Sequence, residues 1–202
     1  MGGGTMSEPE MRARLESSTV AVVGCGGLGS NVAAMLLRSG VRTLTLIDFD
    51  LVEESNLNRQ LFFRDQIGQP KTEALAETLL RIDPEARLTL HTRRVTADDI
   101  ADLVGDADVI VEAVDRADTK AMIVNTLMEA LPNTPLVTAS GLAGVGPANA
   151  VVTQRPCDNL YLIGDLESDV TAGHPLFASR VMVAAAHEAH AVIRRLLGFD
   201  EP

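Results

Sequence analysis

Short apolar runs alternate with longer amphipathic ones along most of this chain. TVAVVG at 19–24 is apolar and β-branched, and GLGSNVAAMLLRSG after it carries apolar residues at helical spacing until Gly40 stops it. A strand, a glycine turn and a helix are predicted. TLTLID at 43–48 reads as a second strand, and a helix over about 70–82 is opened by Pro70 and closed by Asp83 and Pro84. RLTLH at 87–91 alternates like a half-buried strand, ADVIVEAV at 107–114 is a fourth strand with DTKAMIVNTLMEAL as its helix, and PLVTAS at 135–140 is a fifth. A glycine-rich loop, GLAGVG, two extended pieces around NAVVTQ and NLYLIG, and a last helix over about 177–197 complete the pattern. Strands separated by helices imply right-handed crossovers and a mostly parallel sheet covered on both faces. The expected class is doubly wound α/β, a single domain over 19–197 preceded by a polar segment 1–18 whose opening MGGGT is tag-like.

In such sheets ligands sit beyond the carboxyl ends of the strands, where the strand order reverses, so the residues that follow the strands are the ones to inspect. GCGGLG sets Gly24, Gly26 and Gly29 in the G-x-G-x-x-G pattern, with Gly27 inside it, directly after a strand and opening a helix. Gly24 permits the tight turn, Gly26 lets a phosphate approach the backbone, and the helix N-terminus supplies free N–H groups and a positive dipole end. This is a Rossmann-like nucleotide-binding turn. Asp48 ends the second strand, where an acid bonds ribose hydroxyls, and Asp50 doubles the negative charge, so a 2′-phosphate is disfavoured. NAD, FAD and ATP all remain open on the turn alone. Arg59 in NLNRQ and Lys71 in GQPK then add two cations, for which a triphosphate has a use and a hydride carrier has none. The competing reading is that Arg59 pairs with Glu53 or Glu54 and that Lys71 decorates a helix start, where the dipole disfavours it. Asp115, after the fourth strand, is a carboxylate suited to Mg2+ on triphosphate oxygens, whereas Asp118 is placed to cap the following helix.

Composition narrows the partners. With 202 residues, 46% hydrophobic and 22% charged, the chain can bury one good core. Its net charge of −11 and its 17 basic residues, never in more than pairs, argue against nucleic acid and against an anionic membrane surface. No apolar stretch reaches the roughly 18 residues of a membrane span and the N-terminus is not signal-like, so a cytoplasmic protein is expected. Cys25 and Cys157 make neither a disulfide framework nor a four-cysteine zinc site, and Cys157 has no activating neighbour. His187 and His190 in HEAH lack the H-E-x-x-H spacing of a metalloprotease and read as solvated or packed, and His174 in TAGHP shows no partner.

GCGGLGS, DFDLVEESNLNRQ, IGQPK and EAVDRAD stand in the order and spacing of the ThiF/MoeB-like adenylyltransferases, relatives of the ubiquitin-activating enzymes, and the resemblance covers nearly all of 19–197. It implies binding of ATP and Mg2+ and adenylylation of the C-terminal Gly-Gly carboxylate of a small ubiquitin-like sulfur carrier protein, with release of pyrophosphate. By the same resemblance Asp48 would hold the ribose, Arg59 and Lys71 the phosphates, and Asp115 the Mg2+, with Asn56 and Gln60 in the same shell. ASGLAGVGPANAVV and NLYLIGD resemble the short ThiF branch associated with thiamine synthesis. Longer members carry two C-x-x-C pairs for zinc, which this chain lacks, so no zinc site is expected; they also bring an N-terminal arginine to the site, for which Arg12 and Arg14 are candidates lying rather close to the first strand. GLAGVG, poor in side chains, is expected to shape a channel for the Gly-Gly tail. A homodimer is expected because the last helix is small and apolar over more than one face and because relatives dimerise. The competing readings are an NAD-dependent oxidoreductase and a non-catalytic nucleotide-binding partner subunit.

Overall fold

The computed structural model describes residues 6–168 and 173–201. Its strands are β1 (Thr19–Val23), β2 (Thr43–Asp48), β3 (Arg87–Thr92), β4 (Val109–Glu112), β5 (Leu136–Ala139), β6 (Val152–Cys157) and β7 (Leu160–Gly164). They form one seven-stranded sheet in the order β3-β2-β1-β4-β5-β7-β6. Every pairing is parallel except the one between β6 and β7. The order reverses between β1 and β4, so the C-terminal ends of those two strands flank the crevice that doubly wound sheets use for ligands.

The helices are α1 (Glu8–Ser17), α2 (Gly27–Arg38), α3 (Lys71–Ile82), α4 (Ile100–Val104), α5 (Ala117–Ala130) and α6 (Ala178–Leu196). Alternation along β1 divides the interior: Val20 and Val22 face a core shared with α2, α3 and α6, whereas Ala21 and Val23 face Ile100, Val104, Ile123 and Leu127 of α4 and α5. Both faces are covered, which is why β1 reads as an unbroken apolar run rather than an alternating one. At one edge, β3 is mostly exposed and polar, as an unpaired edge tolerates.

Two helices were not expected from the pattern. α1 buries little besides Leu15, so it has no apolar stripe, but Glu10 Oε2 accepts from Ser7 N at 2.7 Å and Pro9 sits in its first turn. The five-residue α4 is too short to show a period. α6 is apolar on more than one face because this same chain covers it twice, with α2 on one side and the sheet on the other. That pattern therefore does not call for a second copy. Among the described residues no helix is long and apolar enough to cross a membrane.

Midway along α6 lies an unexpected acid. Glu188 is fully buried, and neither carboxylate oxygen has a hydrogen-bond partner among the described residues. Burial pushes its pKa up to about 8; the positive Lys120 pulls against this and the negative Glu112 adds to it. The folded chain therefore keeps a proton that the unfolded chain, with a carboxyl near 4.5, gives up. The sign follows: stability should be highest at acid pH and fall as pH climbs from about 4.5 towards about 8. Denaturant midpoints measured across that window should decline in the parent and flatten in Glu188→Gln; equal slopes in the two proteins would assign the effect to another group.

Candidate functional site

The glycine turn is clamped from both sides. Gly24 N donates to Ile47 O at 2.7 Å, and with φ at +95° the residue lies so close to β4 that a Cβ would come within 2.7 Å of Ala113 O. Only glycine meets both demands. Asp48 braces the turn from β2: Oδ2 accepts from Cys25 N at 2.6 Å and Oδ1 from Asp50 N at 2.8 Å. Burial raises its pKa, and the N–H groups of Asp50 and Cys25 oppose the rise. Gly29, in contrast, does not face the ligand side; a Cβ there would lie 1.8 Å from Gly24 O, so its task is to let α2 close onto the turn.

Two buried polar residues of α2 organise what comes next, and their signal in the sequence is their place on an otherwise apolar helix face. Ser30 Oγ donates to Gly26 O at 2.6 Å and accepts from Leu61 N at 3.0 Å. Asn31 Nδ2 donates to Gly27 O at 2.7 Å and to Arg59 O at 3.1 Å. The backbone at 59–61 is thereby tied to the first turn of α2, which is how Arg59 and Gln60 reach the ligand side. The rest of the polar 49–69 segment is spent partly on its own folding. Gln66 Nε2 donates to Ala74 O at 2.8 Å, and Asn56 Oδ1 accepts from Glu53 N at 3.0 Å. Asn56 is buried behind the site and does not line it, so the expectation that it shares a shell with Gln60 is not met.

A cleft of about 820 Å³ opens at the C-terminal edge of the sheet. Gly24, Gly26 and Gly27 form its floor beside the α2 N-terminus, Asp48 and Asp50 one side, and Asp115 the side after β4. Among the described residues Arg59 bonds only neutral groups, Asn58 Oδ1 at 2.8 Å and Ser55 O at 3.3 Å, while Glu54 pairs with Arg64 at 3.0 Å. The surface ion pair offered as its alternative role is absent. Lys71 is not decoration either. It is buried, and its Nζ meets Asp50 Oδ2 at 2.9 Å. Asp50 is thus engaged with Lys71. Asp115 is exposed, and Asp118 bonds Arg116 and Thr119 N rather than standing at the N-cap, which Arg116 occupies. An aromatic contact was not anticipated: the Arg94 guanidinium lies 3.8 Å over the Phe49 ring at the cleft edge.

The far wall comes from the glycine-rich loop and the turn after β7. Gly141, with φ at +80°, sits so close to Asp165 that a Cβ would be 2.2 Å from Oδ1. Asp165 pairs with the buried Arg180, whose Nη1 donates to Gly146 O at 2.8 Å and Pro147 O at 3.1 Å. Despite its burial, bonds from Ser168, Glu167 and Arg180 hold Asp165 down at about 2. The loop is therefore clasped, not loose. The remaining candidates lie elsewhere: Arg12 pairs with Glu8, Arg14 Nε donates to Leu196 O at 3.1 Å, His187 Nδ1 meets Thr153 Oγ1 at 3.0 Å, and Cys157 is exposed on β6. Among the described residues no group of three or more His, Cys, Asp or Glu could hold a metal by itself.

These residues suit a nucleotide polyphosphate. Among the described residues a Cβ at Gly26 would meet nothing nearer than Gln60 Nε2 at 3.7 Å, so that concavity is open on their side. Gln60 Oε1 is buried beside it with no partner among the described residues. Asp115 can offer one carboxylate to a Mg2+ whose other ligands are phosphate oxygens and water.

Residues 5–202 match the ThiF family. The chain is 39% identical over 141 residues, 69% of its length, to the sulfur carrier protein ThiS adenylyltransferase of Escherichia coli (strain K12), covering 55% of that protein. It is 36% identical over 137 residues, 66% of its length, to the tRNA threonylcarbamoyladenosine dehydratase of Escherichia coli (strain K12), covering 50% of it. The chain thus spans about half the length of these curated relatives. A crystal structure of the latter enzyme from E. coli in complex with ATP has the same fold, with a TM-score of 0.83 at 23% identity over 93% of this chain and 88% of that one.

Proposed function

The chain belongs to the ThiF family, and from that membership we propose that it is an ATP-dependent adenylyltransferase acting on the C-terminal Gly-Gly carboxylate of a small ubiquitin-like sulfur carrier. One observation carries the reading: the α2 N-terminus, Asp48, Arg59, Lys71 and Asp115, scattered along the sequence, line a single cleft at the switch point of the sheet. Bound ATP with Mg2+ would supply the adenylyl group and the pyrophosphate leaving group. Asp48 would hold the ribose, the α2 N-terminus with Arg59 and Lys71 the phosphates, and Asp115 the Mg2+. No general base is required, because a C-terminal carboxylate is ionised at neutral pH. The protein's contribution is then positioning and electrostatics. Lys71 suits that role because Asp50 holds it in place before any ligand arrives. The clasped loop at 141–147 would give an extended Gly-Gly tail a narrow way in, since its glycines allow close backbone approach.

Similarity to the ThiS adenylyltransferase supports the sulfur-carrier acceptor, and the resemblance of ASGLAGVGPANAVV and NLYLIGD to the short ThiF branch suggests a place in thiamine synthesis. Similarity to the tRNA-acting relative favours a second reading, an acceptor carried on tRNA, against which the net charge of −11 speaks. ATP–pyrophosphate exchange separates the two. Exchange should depend on a ThiS-like carrier and vanish when its last two glycines are removed. Exchange driven by tRNA alone would reassign the acceptor, and tight binding of NAD with none of ATP would refute adenylylation altogether.

A further inference from the structure

Glu112 is the last residue of β4 and is fully buried, three positions before Asp115. Its carboxylate is saturated from three directions: Oε1 accepts from Val114 N at 2.8 Å, and Oε2 accepts from Lys120 Nζ and from Thr138 Oγ1, each at 2.5 Å. Lys120, on α5, is only partly covered, with 22% of its side chain exposed against none of Glu112, and it lines the cleft on the wall that carries Asp115. Packing alone does not explain such a pair. Taking two charges out of water costs several kcal/mol, and an apolar pair of similar volume commonly serves stability as well or better. An ammonium has three N–H donors. Glu112 takes one, and Thr138 Oγ1, whose own proton points to Glu112, is a distant second acceptor at 3.4 Å. Lys120 lines the cleft, so its remaining donor can turn to that side.

We propose that Lys120 is a further phosphate-binding residue of the cleft, donating to an oxygen of the bound polyphosphate, and that Glu112 and Thr138 are positioning residues that fix its ammonium. The same carboxylate, through Val114 N, steadies the backbone that leads into Asp115, so one buried acid sets two side chains of the same wall. This rests on the adenylyltransferase reading above and extends it to Lys120 and Thr138, which lie outside the motifs that carry the family resemblance, and to Glu112, which opens one of them.

Isothermal titration with ATP and with inorganic pyrophosphate tests it without relying on turnover. Lys120→Met should weaken both by about 10- to 100-fold, the range for losing a hydrogen bond to a charged group. Because that change strands Glu112 in the interior, the Glu112→Gln/Lys120→Met double variant removes both charges, and Lys120→Gln, which can still donate to Glu112, is a second neutral form. Circular dichroism and melting curves report which of them fold. The double variant should bind pyrophosphate no more weakly than Lys120→Met, because Glu112 acts through Lys120, whereas Lys120→Arg should recover part of the affinity. If folded neutral variants bind ATP and pyrophosphate as the parent does, Lys120 is only a structural partner of Glu112 and the proposal is wrong. If Glu112→Gln weakens binding additively with Lys120→Met, the positioning role is wrong. A parent that binds no ATP would instead overturn the adenylyltransferase reading, and this inference with it.

Discussion

Arg59→Ala and Lys71→Ala should each slow carrier-dependent pyrophosphate exchange by about 10²- to 10³-fold, the loss that follows removal of one preorganised donor from developing charge. The two differ in what else they disturb. Among the described residues Arg59 has no acidic partner and bonds only Ser55 O and Asn58, so its loss should leave the melting temperature nearly unchanged. Lys71 is buried against Asp50, but 45% of the Asp50 side chain is exposed, so water can solvate the carboxylate left behind and the stability cost should stay modest. In both variants kcat should fall more than KM for ATP rises, because charge on the phosphates grows towards the transition state. Exchange within a few-fold of the parent in both folded variants would return Arg59 to an ordinary loop arginine and Lys71 to a partner of Asp50.

Much of this layout was readable from the sequence, for identifiable reasons. β1 and β4 lie in the middle of a sheet covered on both faces, so their apolar residues run on without alternation, and Gly24 and Asp48 fall at strand ends where chain order alone puts them side by side. Interactions that depend on topology were not readable. Glu112 ends β4 and Lys120 stands on α5, so no single element's period pairs them, and Asp165 meets Arg180 only because α6 returns across the loop after β7. Gln66 looks like a surface residue until its buried partners are known, and the apolar surroundings of Ser30 and Asn31 mark them as buried without saying what they bond. The polarity of 48–60 proved to have two uses: Asn56 holds the segment's own turn, while Arg59 and Gln60 face the cleft. Composition cannot separate those uses, because an amide that satisfies a backbone N–H and one that awaits a ligand are the same residue. α1 was legible in the Ser7 and Glu10 spacing, but its lack of an apolar stripe concealed it.

The glycine motif offers a test in which two identical substitutions should fail in opposite ways. A methyl group at position 29 would have to occupy space 1.8 Å from Gly24 O and 2.9 Å from Gly24 C, both backbone atoms of a turn already clamped by Ile47 and Ala113. Neither can yield without breaking a strand end, so Gly29→Ala should cost about 3 kcal/mol or more, the upper end for overpacking, and lower the melting temperature by about 6 °C or more. At Gly26 the same methyl group meets no atom of the described residues closer than Gln60 Nε2 at 3.7 Å, and φ is −82°, outside the left-handed region, although ψ at −143° lies between the β and αR basins. Gly26→Ala should therefore melt much closer to the parent than Gly29→Ala does. Its methyl group would nevertheless stand in the concavity at the α2 N-terminus where a phosphate must approach the backbone, and ATP affinity should fall by about 10- to 100-fold, the range for losing a hydrogen bond to a charged group. Thermal melts and ATP titrations of the two variants give a two-by-two outcome. Should Gly26→Ala bind ATP like the parent while folding normally, the turn would not be where the phosphates sit, and Arg59, Lys71 and Asp115 would need another ligand to explain their convergence.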